Sequence, residues 1–267
     1  MAVVIELAAA NSNVTRLRRL QRRRAARELE GRIVVEGVQA VSDALRARRV
    51  ESIFLRAGDD RDAAVSLGPV DTSTPVYTLD AKTFDAIATT VSPQGAMAVV
   101  IWQPASIDEV AFDRGPAIVL DGVADPGNVG TIVRVADAAG ACAVFAGPQT
   151  VDVSAPKVVR SAAGSLLRVP VVTSFAAAEA IRELRARSVR CVGAVARGGV
   201  PYDDFDWSVP VALVMGNEAH GIDDAIGAVL DGEVHIGMAP GAESLNVAVA
   251  CAVLAFEIRR RRTKGSA

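Results

Sequence analysis

Val214-Met-Gly-Asn-Glu-Ala-His-Gly-Ile222 decides how this chain is read. An aliphatic run over residues 212–215 breaks into Gly216 and Gly221, which bracket three polar side chains, Asn217, Glu218 and His220. A short apolar run without polar alternation is the pattern of a strand covered on both faces, and in open parallel sheets ligands bind where such strands end. The same pattern recurs around it: residues 117–121, 143–146, 169–173, 189–195 and 233–236 read as further strands. Residues 131–139 and 176–187 read as helices between them. Strand and helix in alternation predict an α/β fold with a parallel-sheet C-terminal domain.

Two more strand ends carry polar loops. In the first, Asp121-Gly-Val-Ala-Asp-Pro-Gly-Asn-Val-Gly-Thr-Ile-Val-Arg134, glycines let a ligand approach the backbone, and Asn128 is expected to cap the following helix. Arg134 follows one helical turn after Gly130, and a cation beside open backbone suits a phosphate or a developing anion. In the second, residues 236–250, a Gly/Pro loop leads into a helix with Ser244 as its expected N-cap and Leu245 and Asn246 in its first turn. Residues 245–258 are almost all small or apolar, so that helix must be covered on most sides, and a subunit interface would do so. It is expected to end at Arg259 to Arg262, where cations complement the helix dipole. Glu218 reads as a binding or orienting group and His220 as a surface residue of its loop.

Composition narrows the class. Of 267 residues, 51% are hydrophobic and 22% charged, which excludes a disordered chain or a disulfide scaffold. Cys142, Cys191 and Cys251 sit far apart in apolar runs and read as buried free thiols of a reducing cytoplasm. With only His220 and His235 besides, no metal site is expected. The start of the chain lacks the basic flank of a signal peptide, and no apolar run is long enough for a membrane span. Phosphate-loop and dinucleotide glycine fingerprints are both missing, which argues against a nucleotide hydrolase and a common oxidoreductase. Net charge is only −2, but residues 1–32 hold eight arginines against three glutamates. That stretch is therefore expected to be a basic arm, residues 1–31, seeking a polyanion. Residues 32–103 read as a small α/β unit, 104–116 as a linker between Pro104 and Pro116, and 117–267 as the larger domain.

The residues also carry a resemblance. Asn128-x-Gly130-x-x-x-Arg134, Met215-Gly-Asn-Glu-Ala-His-Gly221 and Ser244-Leu-Asn-Val-Ala-Val-Ala250, in this order, resemble the three motifs of the SpoU (TrmH-like) branch of the SPOUT RNA methyltransferases. Residues 32–102 resemble, more loosely, the substrate-binding domain that precedes the catalytic domain in many large-subunit rRNA ribose methyltransferases. The resemblance implies a cytoplasmic, homodimeric, S-adenosylmethionine-dependent 2′-O-methyltransferase of RNA, paired through a C-terminal domain that holds a trefoil knot. It implies a reaction site of Asn128, Arg134, Glu218, Ser244 and Asn246. The methyl-donor pocket would be lined by Val214, Gly216, Asn217, Ile236, Met238, Leu245 and Asn246, and RNA would meet Arg16, Arg19, Arg23, Arg134, Lys157 and Arg160. Gly237 departs from the proline usual after that strand. The expected substrate is 23S rRNA; tRNA and a non-catalytic rRNA-binding assembly role are the alternatives.

Overall fold

The computed structural model describes residues 4–241 and 243–265, and the chain divides into two units. The N-terminal unit is formed by residues 1–103 together with 154–167. Its strands are β1 (Val4–Leu7), β2 (Arg32–Glu36), β3 (Val50–Arg56), β4 (Val76–Leu79) and β5 (Ala96–Ile101), in the sheet order β1-β4-β3-β5-β2. The pairs β1·β4 and β3·β4 are parallel, and β5 runs antiparallel to β2 and β3. Helices α1 (Ser12–Arg22), α2 (Arg24–Glu30), α3 (Val38–Arg46), α4 (Asp60–Leu67) and α5 (Ala81–Asp85) connect these strands.

This corrects the basic arm. Residues 4–30 contribute an edge strand and two helices to the unit. Asn11 caps α1 by accepting from the Asn13 amide at 2.9 Å. Val14, Leu17 and Leu20 recur at helical spacing and are fully buried with Phe54, Phe84 and Met97. Each such side chain contributes about 1.5–3 kcal/mol, so the arginines around them ride on a helix with a core face.

The C-terminal unit, residues 104–153 and 168–267, is built on seven strands. These are β6 (Ala117–Leu120), β7 (Ala143–Ala146), β8 (Val171–Val172), β9 (Arg190–Ala194), β10 (Val200–Pro201), β11 (Val211–Met215) and β12 (Gly232–His235). Every pairing is parallel, in the order β10-β12-β9-β11-β6-β7-β8. The helices of this part of the chain are α6 (Pro126–Ala139), α7 (Pro156–Ser161), α8 (Ala177–Ala186), α9 (Asp224–Gly227) and α10 (Val247–Gly265), of which α7 belongs to the N-terminal unit. Six of the seven strands coincide with the apolar runs; the expected strand at 169–173 is only two residues long, and β10 is a two-residue edge containing a proline. The expected linker is part of this unit, because Ile107 and Val110 sit in its core with Val119, Phe145 and Val214. Helix α10 continues through the arginines expected to end it.

The sheet order explains where a ligand can enter. From β6 the chain moves outward through β7 and β8, then returns to place β11 beside β6. Met215 pairs with Leu120, and the Asp121 amide donates to the Met215 carbonyl at 2.8 Å. The loops after these two strands thus leave side by side at the same level, a topological switch point of the kind that opens a crevice.

Segment 154–167 completes the N-terminal unit. Arg27, buried, donates to Ser154 Oγ at 2.9 Å and to the Leu20 carbonyl at 2.9 Å. Trp102 Nε1 donates to the Leu166 carbonyl at 3.1 Å, and Arg160 reaches Thr89 Oγ1 at 2.7 Å.

Candidate active site

Three loops of the C-terminal unit meet in one hydrogen-bonded chain. Asn246 Nδ2 donates to Asn128 Oδ1 at 2.9 Å, and Asn128 Nδ2 donates to Glu218 Oε1 at 2.9 Å. Glu218 also accepts from the backbone amides of Ala124 and Asp125, each at 3.1 Å. Asn128 is therefore the bridge, bonded to one residue from each of the other two loops.

Local structure places each member. Asp125, not Asn128, caps α6: its side chain accepts from the Asn128 amide at 2.9 Å, and Pro126 occupies the first helical turn. Asn128 lies inside that turn, which frees its carboxamide to bridge Glu218 and Asn246. The second expected cap is corrected in the same way. Asn246 Oδ1, rather than Ser244, accepts from the Ala248 amide at 2.9 Å and starts α10. Its side-chain oxygen serves the helix and its nitrogen serves Asn128. Asn217 fixes the middle loop, with Nδ2 donating to the Gly122 carbonyl at 2.7 Å and Oδ1 accepting from the amides of Ala219 and His220. The Asn217 and Gly221 backbones exchange two hydrogen bonds across this tight loop. Gly216 is obligatory there, because a Cβ would come within 2.3–2.4 Å of the Gly221 and Ile222 backbone.

Burial pulls the Glu218 carboxyl upward, but the hydrogen bonds from Asn128 and from backbone amides outweigh it and hold the group below its ordinary range. Glu218 is thus a carboxylate at neutral pH, satisfied by uncharged donors. Cys142 is pushed up to about 11, and Cys191 and Cys251 to about 12, by burial, so none offers a thiolate.

Beside the chain lies a cavity of about 550 Å³. Gly216, Asn217, Ile236, Met238, Ser244, Leu245 and Asn246, all expected of a methyl-donor pocket or reaction site, line it, as do Glu218 and His220. Its size suits a small organic ligand, and its mixture of apolar walls with backbone and carboxamide groups fits a nucleoside carrying a polar tail. Of the other expected residues, Val214 is fully buried in the core while Met215 faces the cavity, and Asn128 and Arg134 are not part of its lining. Gly237 has no left-handed φ, and a Cβ there would meet open space, so the departure from proline leaves the loop unstrained.

Arg134 stands on the exposed face of α6, six residues and about 9 Å of helix rise beyond Asn128. It makes no hydrogen bond or ion pair to any described residue. Arg16 and Arg19, in contrast, are committed within the N-terminal unit: Arg16 to Glu30 and Glu51, Arg19 to Glu30. Arg23 and Lys157 are exposed, and Arg160 is exposed beside Thr89.

The chain matches two family models, the SpoU rRNA methylase family over residues 115–256 and the MRM3-like substrate-binding domain over residues 11–98. It is 34% identical to the 23S rRNA (guanosine(2553)-2′-O)-methyltransferase RlmP of Bacillus subtilis, over 85% of this chain and 88% of that protein. Its identity to the 23S rRNA (guanosine-2′-O-)-methyltransferase RlmB of Ralstonia nicotianae is 36%, over 85% and 95%. The crystal structure of the SpoU methyltransferase AviRb from Streptomyces viridochromogenes in complex with AdoMet superposes with a TM-score of 0.83, at 29% identity over 96% of this chain and all of that one. Motifs, parallel sheet and converging loops agree with these matches, and the chain belongs to the SpoU rRNA methylase family.

Proposed function

We propose that this protein transfers a methyl group from S-adenosylmethionine to a ribose 2′-hydroxyl of 23S rRNA, working as a cytoplasmic homodimer. The observation that carries the reading is the Asn246–Asn128–Glu218 chain, which ties three loops distant in sequence together beside one cavity that two of them line. The bound donor supplies a methyl group already activated on a sulfonium, so the protein needs alignment and electrostatics more than covalent catalysis. Gly216, Ile236 and Leu245 would hold the donor through their backbones, with Asn217 and Met238 beside them. Asn128, Glu218 and Asn246 fix the wall against which the ribose is presented, and Ser244 offers a hydroxyl there. Arg134 would hold an RNA phosphate and stabilise the developing alkoxide; a guanidinium keeps its proton near neutral pH, which makes this role easier than that of a base. The substrate-binding domain preceding the catalytic unit favours a structured rRNA over tRNA.

The homodimer reading rests on α10, where Val249 and Phe256 are 49% and 46% exposed seven residues apart. A second copy would cover this apolar strip. The trefoil knot is part of the same reading.

Purified protein incubated with labelled S-adenosylmethionine and total RNA should label the 23S fraction, and 2′-O-methyl mapping should show one ribose modified. Label in tRNA alone would reassign the substrate, and donor binding without transfer to any RNA would make the protein an assembly factor.

A further inference from the structure

The eight arginines of residues 16–32 are not equivalent, and the structure sorts them. Arg16, Arg19 and Arg32 surround Glu30 and Glu51, Arg24 pairs with Glu28, and Arg27 is buried against Ser154. Charge so neutralised attracts little, since a phosphate would have to displace a carboxylate already in place. Arg18, Arg22 and Arg23 are left. Arg18 donates to the Ala9 carbonyl at 3.1 Å and Arg22 to the Ala86 carbonyl at 3.4 Å, partners that orient a guanidinium without cancelling its charge. Arg22 and Arg23 are exposed and Arg18 is partly exposed, and each fork has further N–H donors to offer. Asp85, beside Ala86, is held through both oxygens by Arg56 and is not available to Arg22.

At 100° per residue, with Val14, Leu17, Leu20 and Gln21 facing the core, Arg16 lies on one flank of α1, Arg18 and Arg22 lie on the other, and Arg19 stands between them opposite the core. Arg18 and Arg22 are one turn apart, about 6 Å along the axis, and Arg23 continues the basic surface at the end of the helix. A linear pair of forked, uncompensated cations suits a repeating anion, and arginine suits phosphate because its donors engage two oxygens at once.

We propose that the flank of α1 bearing Arg18 and Arg22, with Arg23 at its end, is where the N-terminal unit grips the sugar-phosphate backbone of the RNA. Arg16 and Arg19 serve the fold instead. This rests on the RNA methyltransferase reading above and assigns contacts within it. The contacts position the substrate without reading its sequence.

The test is the salt dependence of binding to a transcript of bacterial 23S rRNA, measured on the full-length protein. Each phosphate that the protein no longer neutralises reduces the slope of log K against log salt by about 0.7. R18Q/R22Q should therefore flatten the slope by about 1.4 while leaving calorimetric affinity for S-adenosylmethionine unaltered. R18K/R22K, which keeps the charge, should retain the slope. R16Q/R19Q should lower the melting temperature and keep the slope. A wild-type slope in R18Q/R22Q, an equal flattening in R16Q/R19Q, or competition by polyglutamate as effective as by RNA of the same charge would each overturn the proposal. Should R18Q/R22Q fail to fold, R22Q alone decides, with a flattening of about 0.7 expected and none fatal. A wild-type protein that neither binds the transcript nor methylates any RNA would instead defeat the underlying function. Deleting residues 1–27 is not an equivalent test, because it removes β1 and α1 from the sheet unit.

Discussion

Glu30 and Glu51 in the N-terminal unit and Glu218 in the C-terminal unit are all held below their ordinary range, by opposite means. Burial pulls Glu30 and Glu51 upward, and arginines bring them down. Burial pulls Glu218 upward too, and a carboxamide with backbone amides brings it down. The first solution consumes cations for stability. The second keeps a carboxylate ionised with neutral donors and leaves Arg134, an arginine of the same unit, without an ion pair among the described residues. A site that must attract an anion gains from the second arrangement, since any cation used to hold the carboxylate would be lost to the substrate.

Arg134→Ala is the severest test of that contrast. If the unpaired cation acts on the reacting oxygen or its neighbouring phosphate, turnover in a methyl-transfer assay should fall by on the order of 10²–10³-fold. Arg134→Lys should recover part of this, because charge returns without the bidentate fork; unaltered turnover in the lysine variant would break the assignment. Gly216→Ala should act on the donor rather than on chemistry. Its Cβ would press on the Gly221 backbone, and if the loop yields at the usual cost of about 1–3 kcal/mol, calorimetry should show donor affinity reduced by on the order of 10–100-fold.

Arg27→Met probes the other unit. It removes a buried charged donor from Ser154 Oγ and the Leu20 carbonyl and should cost about 3 kcal/mol, read as a lower denaturant midpoint with donor affinity preserved. The smallest effect concerns acid and salt. All three glutamates have folded values below the ordinary 4.5, so their stabilisation is complete above that pH and is lost as pH falls through the folded values. Melting temperature should be level from neutral pH to about pH 5 and decline below. Raising salt at neutral pH should erode the arginine-paired carboxylates, held by charge, more than Glu218 with its uncharged donors.

The strand ends were legible in the sequence because a buried parallel strand is written as a short apolar run and its loop as glycine and polar residues. The caps were not equally legible. Asp125 and Asn128 are both good cap residues, as are Ser244 and Asn246, and type alone cannot separate them. Pro126 was the available signal for the first pair, since proline favours the opening position of a helix; the second pair carries no comparable mark. In residues 12–22 arginine density obscured the Val14, Leu17, Leu20 spacing that discloses a core face. Which arginines would be spent on glutamates depends on Glu30 and Glu51 arriving from α2 and β3, contacts that no local pattern records. The two residues of β10 are too few to show a period, and α7 leaves its neighbours in sequence for reasons of packing alone.

The stretch from Ser154 to Leu167 belongs with residues more than fifty positions earlier. As the nascent chain emerges, the first unit waits for its last piece until β6, α6 and β7 of the second have been synthesised. Until then the buried surfaces around Arg27 and Trp102 lack their covering, and that interval is when the young polypeptide is most exposed to chaperones and proteases.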